Sequence, residues 1–296
     1  MSASATRVPR TERVVIPAAG LGTRLRPLTT ALPKEMLPLG RKPVIEHVID
    51  EAHSSGFREA LIIVSPGKEI IRRHLGNGEN HGIRIDYAVQ PTMRGLGDAL
   101  LYSEEWVRDE PFAVAFGDCI IASPRGEPPL ARLAEAAAAG GWCGAVLAER
   151  VPRERVSRYG VLAPSAGASA VSGAFRLADI VEKPSAAEAP SDYVVAARWI
   201  LGPDIFRWLR ALQPSPRGEI ELTDAVRDWI RNGDAEIWAV PLAAPERRVD
   251  VGGFDSYLPA QAVWAATDEE FGARVREALE ASLRGITPQS DIPASD

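Results

Sequence analysis

The first apolar run of the chain and the loop after it read Val14-Val15-Ile16-Pro17-Ala18-Ala19-Gly20-Leu21-Gly22-Thr23-Arg24-Leu25-Arg26-Pro27. Three β-branched residues in a row are typical of a buried strand. The small residues after them let backbone N–H groups approach a phosphate chain, because no bulky side chain holds the ligand away. The stretch therefore predicts the first strand of an α/β fold, followed by an anion-binding loop.

Two common phosphate-binding motifs do not fit this loop or the rest of the chain. A dinucleotide-binding motif needs a small residue where Leu25 stands and a helix that starts at once, but Pro27 interrupts that helix. A P-loop needs Ser or Thr after Gly-Lys, whereas Gly67-Lys68 is followed by Glu69. The glycine loop is therefore interpreted as a phosphate cradle of another kind.

Cationic side chains accompany the glycine loop. Arg24 and Arg26 lie inside it, and Lys34 follows between Pro33 and Pro38 in a stretch whose prolines stiffen the backbone. Each of these cations alone is typical of a solvated surface. Together, directly after the first strand, they indicate a site for a polyanion.

Composition excludes several classes of protein. Of 296 residues, 46% are hydrophobic and 25% charged, as in ordinary globular proteins. The net charge is −6 (34 Lys and Arg against 40 Asp and Glu), so a nucleic-acid partner is not expected. No apolar run approaches the roughly 20 residues that span a bilayer, so no membrane partner is expected either. Residues 1–12 lack the apolar core of a signal peptide, and only Cys119 and Cys143 occur, so we expect a cytoplasmic protein without a disulfide framework.

Hydrophobic periodicity alternates between strand and helix along the first half. Strands are predicted at 14–16, 60–64, 83–89, 112–116 and 144–147, and helices at 44–52, 97–107 and 130–139. This alternation is typical of a mostly parallel sheet with helices on both faces. Shorter elements follow: strands at 161–162, 178–181 and 194–201, a loop or hairpin tip at 164–173, and helices at 218–232 and about 268–284.

The chain resembles the sugar-1-phosphate nucleotidylyltransferases, and among them the bacterial UTP–glucose-1-phosphate uridylyltransferases, over residues 13–284. The resemblance rests on Gly20–Thr29, Pro33–Leu39, Lys42–Ile45, Gly95–Gly97, Gly117-Asp118, Tyr159–Val161, Glu182–Pro184 and Gly218–Asp224, all in the expected order. It implies a Rossmann-like α/β domain that joins a nucleoside triphosphate, here UTP, to a sugar 1-phosphate, here glucose 1-phosphate, with Mg²⁺ as cofactor and release of pyrophosphate.

The resemblance also implies how one domain of residues 13–284 is organised. Residues 13–150 are expected to bind mainly the nucleotide, 151–265 to form a β-rich part that binds mainly the sugar, and 266–284 to form a C-terminal helix. Residues 1–12 and 285–296 are expected to be flexible tails. Members of the family are commonly dimers or tetramers, so a homodimer or homotetramer is expected.

Each site residue follows from a matching motif. The expected catalytic cations are Arg24, Lys34 and Lys183. The expected nucleotide-binding residues are Ala18, Ala19, Gly20, Gly22, Thr23, Glu35, Gln90 and Gly95. Gln90 is expected to read the edge of the pyrimidine, since an amide offers a donor and an acceptor together.

Two aspartates are candidates for the metal. Asp118 follows an apolar strand, and ligands of open α/β sheets bind at the carboxyl ends of the strands. Asp250 stands far along the chain beside Gly252-Gly253. Two carboxylates that met at a triphosphate would hold Mg²⁺ together with phosphate oxygens. The resemblance implies that they meet, whereas the sequence alone leaves a turn-capping role open for Asp118.

The sugar site is expected around Glu182 and Lys183. Glu182 can accept hydrogen bonds from vicinal hydroxyls, and Lys183 can reach the sugar phosphate, although the two could also be an exposed ion pair. By resemblance, Gly160 and a backbone group near Val195 complete this pocket. Cys119 and Ala197 depart from the family pattern. No motif supplies a base for Cys119, so a buried thiol is the better interpretation.

Three alternatives remain. The same chemistry is not tied to UTP and glucose, since dTTP or another nucleotide, and another sugar or a cyclitol phosphate, would use the same site. A non-catalytic regulatory homologue predicts loss of the charged residues, yet all of them are present. A nicotinamide-dependent dehydrogenase is disfavoured by Leu25 and Pro27.

Overall fold

The computed structural model describes residues 11–123, 127–168, 173–215, 217–233 and 235–284. Within these ranges the strands are β1 (Arg13–Ala18), β2 (Pro38–Leu39), β3 (Lys42–Pro43), β4 (Glu59–Val64), β5 (Arg84–Val89), β6 (Phe112–Ala115), β7 (Cys119–Ala122), β8 (Gly144–Arg150), β9 (Gly160–Ala168), β10 (Phe175–Glu182), β11 (Tyr193–Leu201), β12 (Ile237–Pro241) and β13 (Arg247–Asp250). The helices are α1 (Leu28–Ala31), α2 (Val44–Ser54), α3 (Glu69–Leu75), α4 (Leu96–Leu101), α5 (Glu104–Val107), α6 (Pro129–Gly140), α7 (Ile205–Ala211), α8 (Leu222–Gly233), α9 (Phe254–Ala266) and α10 (Gly272–Leu283).

A nine-stranded sheet forms the centre, in the order β5-β4-β1-β6-β11-β8-β12-β10-β9. Successive side chains of a strand point to opposite faces. Val14 and Ile16 therefore join one apolar cluster, with α2 and α6, while Val15 joins another on the opposite face, with α4, α7 and α8. Helices cover both faces, which explains why β1 and β4 are almost continuously apolar.

The predicted α/β fold class is confirmed, but the sheet is mixed rather than mostly parallel. Strands β5, β4, β1 and β6 are parallel neighbours, as the strand–helix alternation predicts. Strand β11 then runs antiparallel between β6 and β8. Strand β11 thereby separates β6 from β8. Strands β9 and β10 extend the sheet as an antiparallel hairpin.

Several predicted element boundaries were wrong. The predicted helix 97–107 is divided into α4 and α5, and the helix expected at 218–232 starts only at Leu222. Residues 218–221 instead pair with the segment before and at the start of α4. The N–H of Ile220 donates to Arg94 O at 2.6 Å, and the N–H of Gly97 donates to Ile220 O at 2.8 Å. The expected loop 164–173 is strand as far as Ala168; residues 169–172 lie outside the described residues.

The ends of the chain bear on two further expectations. Residues 1–10 and 285–296, most of the expected flexible tails, lie outside the described residues. Thr11 is buried and its hydroxyl donates to Pro111 O at 2.6 Å, so this residue packs on the domain. The helix expected over 266–284 is α10, which starts at Gly272, and a second helix, α9, precedes it in the stretch that was expected to be β-rich. Among the described residues, no helix has both the length and the apolar character to cross a membrane.

Candidate active site

A cavity of about 290 Å³ opens beside the carboxyl end of β6. Arg24, Asp118 and Asp250 line one end of it, and the expected sugar-site residues line the other, namely Gly160, Glu182, Lys183 and Val195. The structure thus brings together residues from separate stretches of the sequence. The glycine-loop residues 18–23, Gln90 and Gly95 do not line this cavity. Lys34 does not line it either, but it connects the glycine loop to the cavity, since its Nζ lies beside Gly20 and contacts the lining residue Asp118. Gln90 and Gly95 lie next to the lining residue Leu96.

Asp118 and Lys34 form an ion pair at the first end. Lys34 Nζ donates to Asp118 Oδ2 at 2.5 Å, and both side chains are largely buried. Burial disfavours each charge, but the mutual attraction outweighs it. The pKa of Lys34 therefore lies above its ordinary value and the pKa of Asp118 lies below it. A carboxylate that stays ionised is what the expected metal site requires.

Asp250 reaches the same end through a two-stranded sheet. Strand β13 pairs antiparallel with β7, with Asp250 directly opposite Cys119, so the two aspartates become neighbours. Burial and the charge of Asp118 raise the pKa of Asp250 above its ordinary value. Two oxygen-bearing carboxylates that repel each other fit a hard divalent cation, which would relieve that repulsion. The turn-capping alternative does not describe Asp118, whose side chain points to Lys34.

Arg24 completes this end of the cavity. A Cβ built on Gly252 would come 2.8 Å from Arg24 Nη2 and 2.9 Å from Asp250 Oδ1, so the guanidinium and the carboxylate both crowd this glycine. Any larger residue at position 252 would displace one of them. Arg26, by contrast, is exposed and does not line the cavity.

The glycine loop has the open conformation that its small residues predict. Gly22 adopts φ +64°, in the left-handed region that favours glycine, and a short 3-10 turn over Thr23–Leu25 follows it. Gly20 is exposed, and a Cβ on it would lie 3.2 Å from Lys34 Nζ. Lys34 therefore stands between the loop and Asp118, where it can contact phosphates bound by either.

Glu35 does not have the expected orientation. Its carboxylate is 1% exposed and accepts a hydrogen bond from Lys68 Nζ at 2.8 Å. Lys68 also donates to Ala18 O at 2.6 Å and to Gly20 O at 2.7 Å. The expected contact between Glu35 and the nucleotide is therefore wrong. Glu35 instead supports the glycine loop through Lys68. The sequence motifs predict no role for Lys68, because Gly67-Lys68-Glu69 does not match a P-loop.

Gln90 is buried at the end of β5 and is held by a second missed residue. Its Nε2 donates to Asp98 Oδ2 at 2.7 Å and to Gly95 O at 3.3 Å. Asp98 Oδ1 in turn accepts from Arg94 at 2.7 Å. The expected donor–acceptor pair for a base is thus reduced to the amide oxygen, because the amide nitrogen is already used within the protein.

The sugar end is closely packed around Glu182. A Cβ on Gly160 would meet Thr223 Cγ2 at 2.7 Å, Glu182 Oε2 at 3.2 Å and Val195 Cγ2 at 3.4 Å, so only glycine leaves room here. The hydroxyl of Thr223 donates to Glu182 Oε2 at 2.9 Å and fixes the carboxylate. Thr223 belongs to a motif that carried the resemblance, but no role was predicted for it.

A second carboxylate faces Glu182. Lys183 Nζ lies 2.7 Å from Glu182 Oε1 and 3.9 Å from Glu221 Oε1, and Arg217 donates to Glu221 Oε1 at 2.9 Å. Burial and the neighbouring charge of Glu182 raise the pKa of Glu221 to about 7. The sugar end therefore contains a carboxyl group that gains or loses a proton near neutral pH.

Glu221→Gln should remove a pH-dependent loss of stability. The folded protein binds this proton more tightly than the unfolded chain does, because the pKa of Glu221 is raised from 4.5 to about 7. Wild-type stability consequently falls as the pH rises from about 4.5 to about 7. The variant should melt higher than wild type at pH 8, by about 2–4 °C, and this difference should shrink towards pH 5.

The measurement is the Tm of both proteins across this pH range. Glu280→Gln is the control, since it neutralises an exposed carboxylate on α10, and its Tm difference from wild type should stay constant. A Glu221→Gln difference that does not grow with pH would contradict the assignment.

The two departures from the family pattern both line the cavity. Cys119 is buried, and burial raises the pKa of its thiol, which agrees with an inert side chain. Ala197 adopts φ +58°, at an irregularity of β11 between Val195 and Trp199. The fully buried Arg198 donates to Ala197 O and Cys119 O and pairs with Glu51, so it ties this strand to β7 and α2.

Three further charged residues line the cavity, and the sequence motifs predict no role for them. Arg248 lies over the ring of Tyr159, 3.9 Å from its centroid, and donates to Glu149 at 2.8 Å. Arg158 and Asp255 form an exposed ion pair of 2.8 Å at the rim. Their position depends on contacts between residues about 100 apart in sequence, which no local pattern indicates.

Known proteins resemble this chain in sequence and fold. A family profile described as nucleotidyl transferase matches residues 13–266. The UTP–glucose-1-phosphate uridylyltransferase of Mycoplasma pneumoniae is 35% identical over 277 residues, covering 86% of this chain and 92% of the relative. That of Pseudomonas aeruginosa is 33% identical over 270 residues, covering 84% and 94%. A crystal structure of UDP-glucose pyrophosphorylase complexed with UDP-glucose matches with a TM-score of 0.78 and 32% identity, over 86% of this chain and 98% of that one. The chain therefore belongs to the nucleotidyl transferase family.

Proposed function

We propose that this chain joins UTP to glucose 1-phosphate to form UDP-glucose and pyrophosphate. The observation that carries the proposal is one cavity in which Arg24, Asp118 and Asp250 lie at one end and Glu182 and Lys183 at the other. A triphosphate fits the first end, which offers a guanidinium beside two carboxylates that can share a divalent cation. A sugar phosphate fits the second, which offers the carboxylates of Glu182 and Glu221 for hydroxyls and the ammonium of Lys183 for the phosphate. The names of the relatives agree with this pair of substrates.

The reaction is a displacement at the α-phosphorus of UTP. A sugar phosphate has a second pKa near ~6, so it is mainly a dianion at neutral pH and needs no general base. One of its oxygens forms a bond to the α-phosphorus, the bond from that phosphorus to the bridging α–β oxygen breaks, and pyrophosphate leaves with the electron pair. The protein contributes alignment and relief of charge repulsion.

Three cations share that work. Arg24 holds the phosphates that leave, next to Asp250 and Gly252. Lys34, between Gly20 and Asp118, neutralises the α-phosphate. Lys183 moves from Glu182 to the phosphate of the sugar, while Glu182 accepts hydrogen bonds from sugar hydroxyls. Lys34 and Lys183 thus act on the two groups that must approach each other, the α-phosphate of UTP and the phosphate of the sugar.

Asp118 and Asp250 would hold the divalent cation, Mg²⁺, together with phosphate oxygens. When bound, Mg²⁺ withdraws charge from the phosphates. The described residues contain no group of three or more metal-ligating side chains at this place, so substrate oxygens and water would have to complete the shell. The expected homodimer or homotetramer stays a prediction.

A substrate matrix tests the proposal. Purified protein is incubated with Mg²⁺, each of five nucleoside triphosphates including dTTP, and glucose, galactose or N-acetylglucosamine 1-phosphate or a cyclitol phosphate. Release of pyrophosphate is recorded. The pair of UTP and glucose 1-phosphate should have the highest kcat/KM. A higher value for another pair would assign the substrates differently, and no release with any pair would favour a regulatory homologue.

A further inference from the structure

Lys68 is a buried cation that takes no part in the chemistry proposed above. It follows β4, and its side chain is 8% exposed. An ammonium group has three donors, and Lys68 has three acceptors at 2.6, 2.7 and 2.8 Å, namely Ala18 O, Gly20 O and Glu35 Oε2. Burial lowers the pKa of Lys68, against the attraction of Glu35. Because burying an ammonium is costly, a fully bonded one indicates a role that a solvated lysine does not serve.

Two of its three acceptors are carbonyl groups of the glycine loop. In a trans peptide the C=O of one residue and the N–H of the next point in opposite directions. Among the described residues, the cis peptides are Arg26-Pro27 and Ala244-Pro245, so the peptides after Ala18 and Gly20 are trans. When Lys68 draws both carbonyls behind the loop, the N–H groups of Ala19 and Leu21 are turned to the opposite side.

These N–H groups are available to a ligand. Within the described ranges, the backbone N–H groups of residues 19–22 donate to no backbone acceptor, whereas the N–H of Leu25 donates to Gly22 O. Successive N–H groups that point to one side form an anion-binding concavity. Lys68 also places a positive charge behind the carbonyls that would otherwise repel an anion.

We propose that Lys68 is a positioning residue that sets the direction of the N–H donors of the glycine loop, and so its affinity for the phosphates of the nucleotide. This inference rests on the proposed nucleotide-binding role of the loop. Glu35 serves Lys68 rather than the ligand, since it supplies the third acceptor and the charge that makes a buried ammonium tolerable. Loss of the tether should weaken nucleotide binding and leave the sugar end, which lies across the cavity, unaffected.

The double variant Lys68→Met/Glu35→Met separates positioning from stability. Lys68→Met alone strands a buried carboxylate and destabilises the protein, whereas removing both charges together avoids that penalty. The double variant should unfold cooperatively near the wild-type Tm. Its KM for UTP should rise about 10- to 10²-fold, the usual size of losses when a supporting residue is removed. Its KM for glucose 1-phosphate should stay within about twofold of wild type.

Lys68→Arg is the second variant. It keeps the charge, but the guanidinium nitrogens diverge in a plane and do not reproduce three bonds from one atom, so KM for UTP should rise here as well. Arg132→Met/Glu246→Met is the control, since it removes a bidentate pair of 2.6 and 2.7 Å between α6 and the segment before β13. That control should leave KM for UTP unchanged.

The outcomes separate the inference from the proposed function. A wild-type KM for UTP in both Lys68 variants overturns the inference while the function stands. If the double variant does not fold, Lys68→Arg decides on the same criterion. If wild-type protein releases no pyrophosphate from UTP and glucose 1-phosphate, the proposed function fails. Binding of inorganic pyrophosphate, measured by calorimetry in wild type and Lys68→Arg, then tests the loop, and equal affinities overturn the inference.

Discussion

Asp118→Asn should abolish Mg²⁺-dependent pyrophosphate release, with a fall in kcat of more than about 10³-fold. The amide keeps the size of the carboxylate but loses its charge, and Asp118 is the carboxylate that the structure shows holding a cation, Lys34 Nζ at 2.5 Å. Asp250 alone would then have to hold the metal, with one carboxylate charge in place of two. Binding of the sugar phosphate at the other end of the cavity should change little.

The same substitution should cost some stability without unfolding the protein. Lys34 keeps an acceptor in the oxygen of the new amide but loses its charged partner, a change of about 1–3 kcal/mol. Circular dichroism should show a native spectrum and a cooperative transition at a lower Tm. Asp109→Asn, in the exposed turn before β6, controls for the change of charge. Activity above a tenth of wild type would rule out the metal role, and a variant that does not fold would make Asp118 a structural residue.

The parts of the fold that the sequence predicted are those that local patterns determine. A buried strand is indicated by a few consecutive apolar residues, as in Val14–Ile16 and in Ala60–Val64. The place of β11 between β6 and β8 is not local, because it depends on pairings between segments that are far apart along the chain. Helix α9 was missed because Pro259 lies inside it and its apolar residues do not follow one face.

The same distinction holds at the site. Asp118 was found because it follows a strand of the parallel part of the sheet, where the carboxyl ends meet at one edge. Glu182 was found through the family resemblance, since β10 runs antiparallel to its neighbours and the edge rule does not place it. Glu35 was misassigned because the orientation of its carboxylate is decided by Lys68, 33 residues away. Thr223 and Asp98 escaped notice for a related reason, since each acts on another side chain. A motif identifies residues that contact a ligand more readily than residues that hold those contacts in place.

Lys34→Met should lower kcat by about 10²–10³-fold, the scale for loss of one preorganised charged group. Lys34 contacts Asp118 and also lies beside Gly20, so its loss removes one charge from both the proposed metal site and the glycine loop. Without it, the neighbouring carboxylates of Asp118 and Asp250 repel each other with no ammonium to offset their charges, and the α-phosphate loses the cation proposed to neutralise it. Steady-state kinetics should therefore show a loss mainly in kcat, because the ammonium acts on charge that shifts during the displacement.

Lys42→Met provides the matched control for this loss. Lys42 lies on the β2–β3 hairpin and pairs with Asp50, which does not line the cavity, whereas Lys34 pairs with the lining residue Asp118. Both substitutions remove one ammonium from neighbouring turns of the chain, so a general effect of net charge would appear in both. We expect Lys42→Met to keep kcat within about twofold of wild type. Near-normal turnover in Lys34→Met would leave the ion pair with Asp118 as a purely structural contact, and the site would then have to neutralise its phosphates through Arg24 and Lys183 alone.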